Sequence, residues 1–201
     1  MSDRINLDEI ERRAYLSYHE DGLVDMVVGI GLFVAGLYAY AEMIWLMGGM
    51  VAVITPMYIS MKKKYTFPRI GQVTFSTGRT RRSQNSMYFL VLVNVIGVLL
   101  GLAFWMGFSG DTRPQWMLLM VDNFPIVIGV AGAVIWAVLG YITELKRFYR
   151  YAAATLVVIG SANFIPTPFI AHMLILSGIV MVSGFLQFQS FKRKYPIFQE
   201  N

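Results

Sequence analysis

Asp122, Asn123, Asn163 and His172 are the polar residues best placed to do chemistry, because each interrupts or borders a long apolar run. A carboxylate, two amides and an imidazole brought together among apolar helices can bind a polar solute or relay protons. Glu42 falls at comparable depth at a turn, and Pro125, Pro166 and Pro168 leave backbone carbonyls without a helical donor nearby. The same residues have a plain structural use, hydrogen-bonding one another across helices or facing water. Asp25 stands apart, about one turn inside a different apolar run. A carboxylate there can line a cavity, pair with an arginine such as Arg69, or simply serve as a helix N-terminal charge. These five residues form the expected substrate-binding set.

The chain has no cysteine, which excludes disulfides, thiolate nucleophiles, iron–sulfur clusters and cysteine-based zinc sites. Its two histidines, His19 and His172, fall at opposite ends of their apolar segments, about 30 Å of hydrocarbon apart. They cannot share a metal. No H-E-x-x-H, G-x-S-x-G or P-loop string occurs. The Asp21-Gly22 pair lacks the further aspartates that a phosphoalcohol transferase needs for its metals. The sequence therefore points to no catalytic residue, no metal and no cofactor, and an enzyme is not expected.

The elements that position these residues follow from composition. Of 201 residues, 56% are hydrophobic and 14% charged, whereas soluble domains are about a quarter charged. A bilayer is the solvent such a chain requires. The expected fold is all-α, a polytopic transmembrane bundle of six helices forming a single membrane domain. The spans are expected at Leu23–Ala41, Met43–Met61, Met87–Phe108, Trp116–Thr143, Phe148–Ile165 and Thr167–Phe188. The first two and the last two form hairpins, turning at Glu42 and at Pro166-Thr167-Pro168. The fourth segment is too long for one straight crossing. Residues 116–124 are expected either to belong to it or to lie at the interface, with the crossing proper starting near Pro125.

Charge orients the bundle. With both ends in the cytoplasm, six spans put 16 of the 17 lysines and arginines on one side, and only Arg113 on the other. Basic residues are retained on the cytoplasmic side. The net charge of +5 is thus a membrane-flanking charge, and no nucleic-acid partner is expected. Residues 1–20 read as a cytoplasmic arm containing a short amphipathic helix that lies on the membrane surface or packs on the other loops, with Asn6 and Glu9 in capping-box spacing. No cleaved signal peptide is expected.

Residues 62–86 read as a basic cytoplasmic loop, and residues 189–201 as a cytoplasmic tail. Within the loop, Gln72 to Thr80 suits a small β-hairpin with Gly78 at its turn. Lys62, Lys63, Lys64, Arg79, Arg81 and Arg82 would attract anionic lipid headgroups or a partner protein, although topology retention alone also accounts for them. Ser60-Met-Lys-Lys-Lys-Tyr65 recurs as Ser190-Phe-Lys-Arg-Lys-Tyr195, and Gly48 aligns with Gly178 at the same offset. This echo fits a duplicated hairpin or the common basic-aromatic end of an apolar helix. Gly97-xxx-Gly101, Gly31-xxx-Ala35, Gly48-xxx-Ala52 and Gly129-xxx-Ala133 permit close helix packing, within the chain or between copies.

Arg13-Ala-Tyr15-Leu-Ser-Tyr-His-Glu-Asp21-Gly22-Leu-Val-Asp25 leads into the first span, and Tyr65-Thr-Phe-Pro68-Arg69-Ile-Gly71-Gln-Val73 follows the second. Together they resemble a group of uncharacterised prokaryotic multi-span membrane proteins, marked by an aspartate-glycine start to the first helix and a Tyr-Pro-Arg-hydrophobic-Gly-x-Val stretch after the second. Here Phe67 intervenes before Pro68. The resemblance covers about the first 75 residues and implies a multi-pass protein of a prokaryotic plasma membrane, without an activity. Two functions fit the residues: a small transporter or permease-like subunit using the polar set, and a non-catalytic scaffold or regulatory subunit acting through the basic loop.

Overall fold

The computed structural model describes residues 15–41, 53, 56–71, 77–109 and 114–196. Among these residues every regular element is helical and no strand occurs. The elements are α1 (Leu23–Tyr40), a π-helical turn (Lys62–Thr66) running into α2 (Phe67–Ile70), α3 (Thr77–Ser109), α4 (Gln115–Asp122), α5 (Phe124–Thr143), α6 (Lys146–Gly160) with a 3₁₀ turn (Ser161–Asn163), and α7 (Phe169–Lys194). They group into two compact units, Met1–Phe75 with Pro168–Asn201 and Ser76–Thr167.

In the first unit α1 packs along α7. Its start is fixed by Gly22, which adopts a left-handed conformation (φ 68°) and lies so close to the Gly184 carbonyl oxygen that no Cβ fits. Gly22, Gly29 and Gly36 recur every seventh residue, two helical turns apart, and so share one face. A Cβ on Gly29 would strike the Met181 side chain, and one on Gly36 would meet Leu174 Cδ2 at 3.2 Å. Backbones that approach this closely favour main-chain contacts, and Ser177 Oγ donates to the Gly29 carbonyl at 2.9 Å. The approach is made through Gly29 and Gly36, neither of which belongs to the anticipated Gly31–Ala35 pair.

In the second unit α5 and α6 form an antiparallel hairpin. Glu144, left-handed at φ 60°, and buried Leu145 reverse the chain. Gly129, Gly132 and Gly140 then face Ile159, Thr155 and Tyr149, each leaving only 3.2–3.3 Å to the place a Cβ would occupy, a register that steps backward along α6 as α5 advances. Trp136 fills the space beside them, its ring 5.5 Å from Phe148 and 5.4 Å from Tyr151. The Gly129–Ala133 pair therefore packs inside one chain, whereas a Cβ on Gly97 or Gly101 would meet nothing within 4 Å. The long fourth segment divides at Asn123, and Pro125 occupies the first turn of α5.

Among the described residues four runs are long and apolar enough to cross a membrane: Tyr15–Tyr40, Gln84–Gly107, Phe124–Thr143 and Phe169–Lys194. The expected span Met43–Met61 falls largely outside the described residues, as do Glu42 and most of the N-terminal arm. The expected span Phe148–Ile165 is the 15-residue α6 and its 3₁₀ turn. That helix is only about 22 Å long, and it begins with Lys146, Arg147 and Arg150.

The expected hairpin over residues 72–80 is corrected. Residues 72–76 lie outside the described set, and Gly78 and Arg79 sit in the first turns of α3. An isolated two-stranded hairpin is marginal in water, while the Arg- and Gln-containing stretch after Thr77 extends an existing helix at one hydrogen bond per residue. The expected loop shrinks from its other end too, because Lys62 to Ile70 are helical.

Candidate functional site at the Asp21–Lys62 pair

Asp21 precedes α1 and is fully buried, with 0% of its side chain exposed. Its Oδ1 accepts the Leu23 backbone N–H at 3.2 Å, capping a helix whose own N-cap residue, Gly22, has no side chain to do so. Its Oδ2 receives Lys62 Nζ at 2.8 Å and the Thr66 hydroxyl at 2.6 Å. Lys62 and Thr66 are the first and last residues of the π-turn, so this one widened turn aims both donors at the same oxygen. Lys62 is only 4% exposed. It also donates to the Tyr18 carbonyl at 2.6 Å, and its ammonium lies 3.8 Å from the centroid of the Tyr18 ring.

Such a pair persists in low dielectric only when the remaining lone pairs and protons find partners. Here they do. The negative charge also sits at the positive end of the α1 dipole. The pair ties three segments together: the turn before α1, the π-turn, and, through the Gly22–Gly184 contact, α7. Aromatic side chains close the surroundings. Tyr18 and Phe67 stack at 6.3 Å, Tyr65 meets Phe188 edge-on at 5.4 Å, and His19, beside Tyr15 at 4.4 Å, places Nδ1 2.9 Å from the Tyr15 carbonyl.

Around this buried pair lies an exposed basic rim. Lys63 and Lys64 project from the π-turn, and Lys192, Arg193 and Lys194 from the last turn of α7. Lys194 pairs with Glu20 at 3.1 Å, with both side chains at least half exposed. The two copies of the Ser-x-Lys-x-Lys-Tyr echo thus converge. Adjacent Glu20 and Asp21 each take one lysine, from a different copy, one pair in water and one sealed.

The expected site residues distribute unevenly. Asp25 is buried in the first unit, its Cβ 2.9 Å from where a Gly184 side chain would begin. Arg69, its anticipated partner, donates from Nη1 to the Tyr65 carbonyl at 2.7 Å. His172 is also buried in this unit, with Nδ1 3.4 Å from the Pro168 carbonyl. It lies 12 positions before Gly184 on α7, about 18 Å along the axis, so it and Asp25 do not share a site. Asp122, Asn123 and Asn163 belong to the second unit and are exposed. Asn123 uses its amide locally, donating to the Leu119 carbonyl at 3.0 Å.

Lys62 corrects the expected headgroup set. It faces Asp21, because a lysine on the inner side of a helix next to a buried carboxylate is stabilised more by pairing than a neighbour on the outer side. Arg81 and Arg82 fall with Arg79 in the first turns of α3. The Asp21–Lys62 pairing is not visible in the sequence, where Asp21 stands out only as a possible metal ligand. Its one trace there is that the aspartate-glycine start and the lysine run are the two charged interruptions flanking the first apolar hairpin.

Chemically the arrangement is a closed one. The carboxylate is buried and engaged by three donors, and the ammonium is held on its far side, so neither is presented to a substrate as acid, base or nucleophile. Among the described residues no group of three carboxylates, histidines or cysteines could hold a metal ion. Comparison of the chain with protein-family models, with curated proteins and with solved structures finds no match.

Proposed function

We propose that this chain is a non-catalytic scaffold or regulatory subunit of a prokaryotic plasma membrane, spanning the bilayer six times with both ends in the cytoplasm. One observation carries the reading: a fully buried carboxylate and a buried ammonium are sealed against each other, while basic residues from two distant helix ends stand exposed around them. A transport site needs polar groups that open to water and to solute. The Asp21–Lys62 pair instead acts as a rigid tie, and the rim of Lys63, Lys64, Lys192 and Arg193 is what it holds in place. Four apolar runs of membrane-spanning length and the one-sided distribution of basic residues support the bilayer setting.

The partner this rim suits is the anionic headgroup layer. Each basic residue near such a surface contributes about 1 kcal/mol, screened within a Debye length of about 8 Å at physiological salt. In nanodiscs holding a mixture of phosphatidylglycerol and phosphatidylcholine, the wild-type chain is expected to enrich spin-labelled phosphatidylglycerol at its boundary, and salt should weaken the effect. Replacing Lys63, Lys64, Lys192 and Arg193 with glutamine should abolish the enrichment and leave the helix content unchanged. Equal enrichment by the variant would remove the rim from the function.

The polar stripe on the α1–α7 contact supports a second reading. Asp25 and Ser177 lie on that contact and His172 is buried nearer the start of α7, a spaced series of ionisable and hydroxyl groups along which a permease-like subunit would pass protons. Acidification of proteoliposomes that Asp25→Asn abolishes would favour this reading over the scaffold.

A further inference from the structure

A groove of about 280 Å³ opens at the same end of α7, lined by Glu20, Leu186, Gln187, Ser190, Phe191 and Lys194. Its lining is mostly apolar, with exposed Leu186 on one side and one charge of each sign at the edge. The charges are Glu20 and Lys194, paired at 3.1 Å while half or more of each side chain remains in water. An exposed pair of this kind contributes little to stability, so a ligand can open it without disturbing the fold. The Ser190 hydroxyl donates to the Leu186 carbonyl at 3.0 Å, and its oxygen retains acceptor capacity towards the groove.

We propose that this groove binds the headgroup of a zwitterionic, amine-bearing phospholipid, of the phosphatidylethanolamine class. Three features select it. First, the groove offers an anion and a cation side by side, which matches a phosphate and an ammonium joined by two carbons. A purely anionic headgroup would leave Glu20 facing a like charge. Second, a primary ammonium donates hydrogen bonds to a carboxylate, and a trimethylammonium cannot. Third, the depth is right. The basic triplet Lys192-Arg193-Lys194 ends the apolar run of α7, which puts the groove at headgroup level, with Leu186 about two turns deeper towards the acyl chains. The cavity is smaller than those that enclose drug-sized ligands, and it suits a headgroup whose chains remain in the bilayer.

The assignment rests on the bilayer setting proposed above but not on the rim residues Lys63, Lys64, Lys192 and Arg193, and one experiment separates the two. The full chain is purified in detergent, and lipid binding is followed by native mass spectrometry with phosphatidylethanolamine, phosphatidylcholine and phosphatidylglycerol of identical acyl chains. Phosphatidylethanolamine is expected to bind about fivefold more tightly than phosphatidylcholine, the value of one partly exposed charged contact. Glu20→Gln should erase that difference without weakening phosphatidylglycerol binding, which reports the rim. Lys194→Gln should weaken both zwitterionic lipids together. Glu20 is exposed, so the thermal midpoint should be unchanged in Glu20→Gln. Equal affinity for the two zwitterionic lipids, or a preference that survives Glu20→Gln, would overturn the proposal. Displacement of the lipid by soluble glycerophosphoethanolamine at equal concentration would overturn the assignment to a lipid.

Discussion

Lys62→Met is expected to destabilise the chain by about 3–5 kcal/mol, because it strands the Asp21 carboxylate in a site with no solvent. Methionine fills most of the space that the lysine stem occupies, so the loss comes from charge and not from a cavity. Asp21→Asn should cost less, since the one amide oxygen still accepts either the Leu23 N–H or the Thr66 hydroxyl, which bond to different oxygens of the carboxylate. Even so, it takes from the Lys62 ammonium the one carboxylate that the pair seals against it. The double variant should cost far less than the sum of the two single changes, because neither charge is then left alone. Unfolding in detergent with increasing denaturing surfactant, followed by tryptophan fluorescence, measures all three. A cost below about 1 kcal/mol for Lys62→Met, the range of a surface pair, would show that the pair is not sealed.

Gly22→Ala and Gly184→Ala are expected to be the most damaging single-methyl additions in the first unit. At Gly22 the left-handed backbone alone costs an alanine about 1–2 kcal/mol. The new Cβ would also fall inside the Gly184 carbonyl oxygen and 2.9 Å from Phe188 N. At Gly184 the obstacles are Met26 N at 2.7 Å and the Gly22 carbonyl at 2.9 Å. Backbone atoms cannot swing aside as a side chain can, so α1 and α7 must separate and draw Asp21 away from Lys62. Each change should cost at least about 2 kcal/mol. Gly178→Ala, on the same helix with nothing within 4 Å of its Cβ, should be neutral within about 1 kcal/mol. If all three behaved alike in the same assay, the close α1–α7 crossing would be wrong.

Hydrophobic runs and helix breakers make much of the fold legible. The start of α1 at Leu23, the division near Pro125 and the non-helical Pro166–Pro168 stretch all follow from residues whose local chemistry is decisive. Span count is less so, because α6 mixes three basic residues with a short apolar run, and length there depends on which neighbours cover it. Gly78 misleads because turn residues signal a turn only when strands on both sides have a sheet to join. The site is least legible. Asp25, Asp122 and His172 attract notice because carboxylates and imidazoles are costly among apolar residues, yet that cost says nothing about which pair meets. Asp21 and Lys62 are 41 positions apart, and their meeting depends on a π-turn that shifts one lysine of a three-lysine run inward. No periodicity distinguishes Lys62 from Lys63 before that turn exists.

The turn before α1 meets the basic end of α7, with one ion pair exposed and its neighbour sealed. Zero-length carbodiimide coupling tests this directly, since it joins a carboxylate to an amine only when the two are in contact and reachable by reagent. In native membranes, peptide mass spectrometry should find Glu20 linked to Lys194, with Asp21 and Lys62 unmodified. An unlinked Glu20 together with a modified Asp21 would contradict both the convergence of these segments and the burial of the pair.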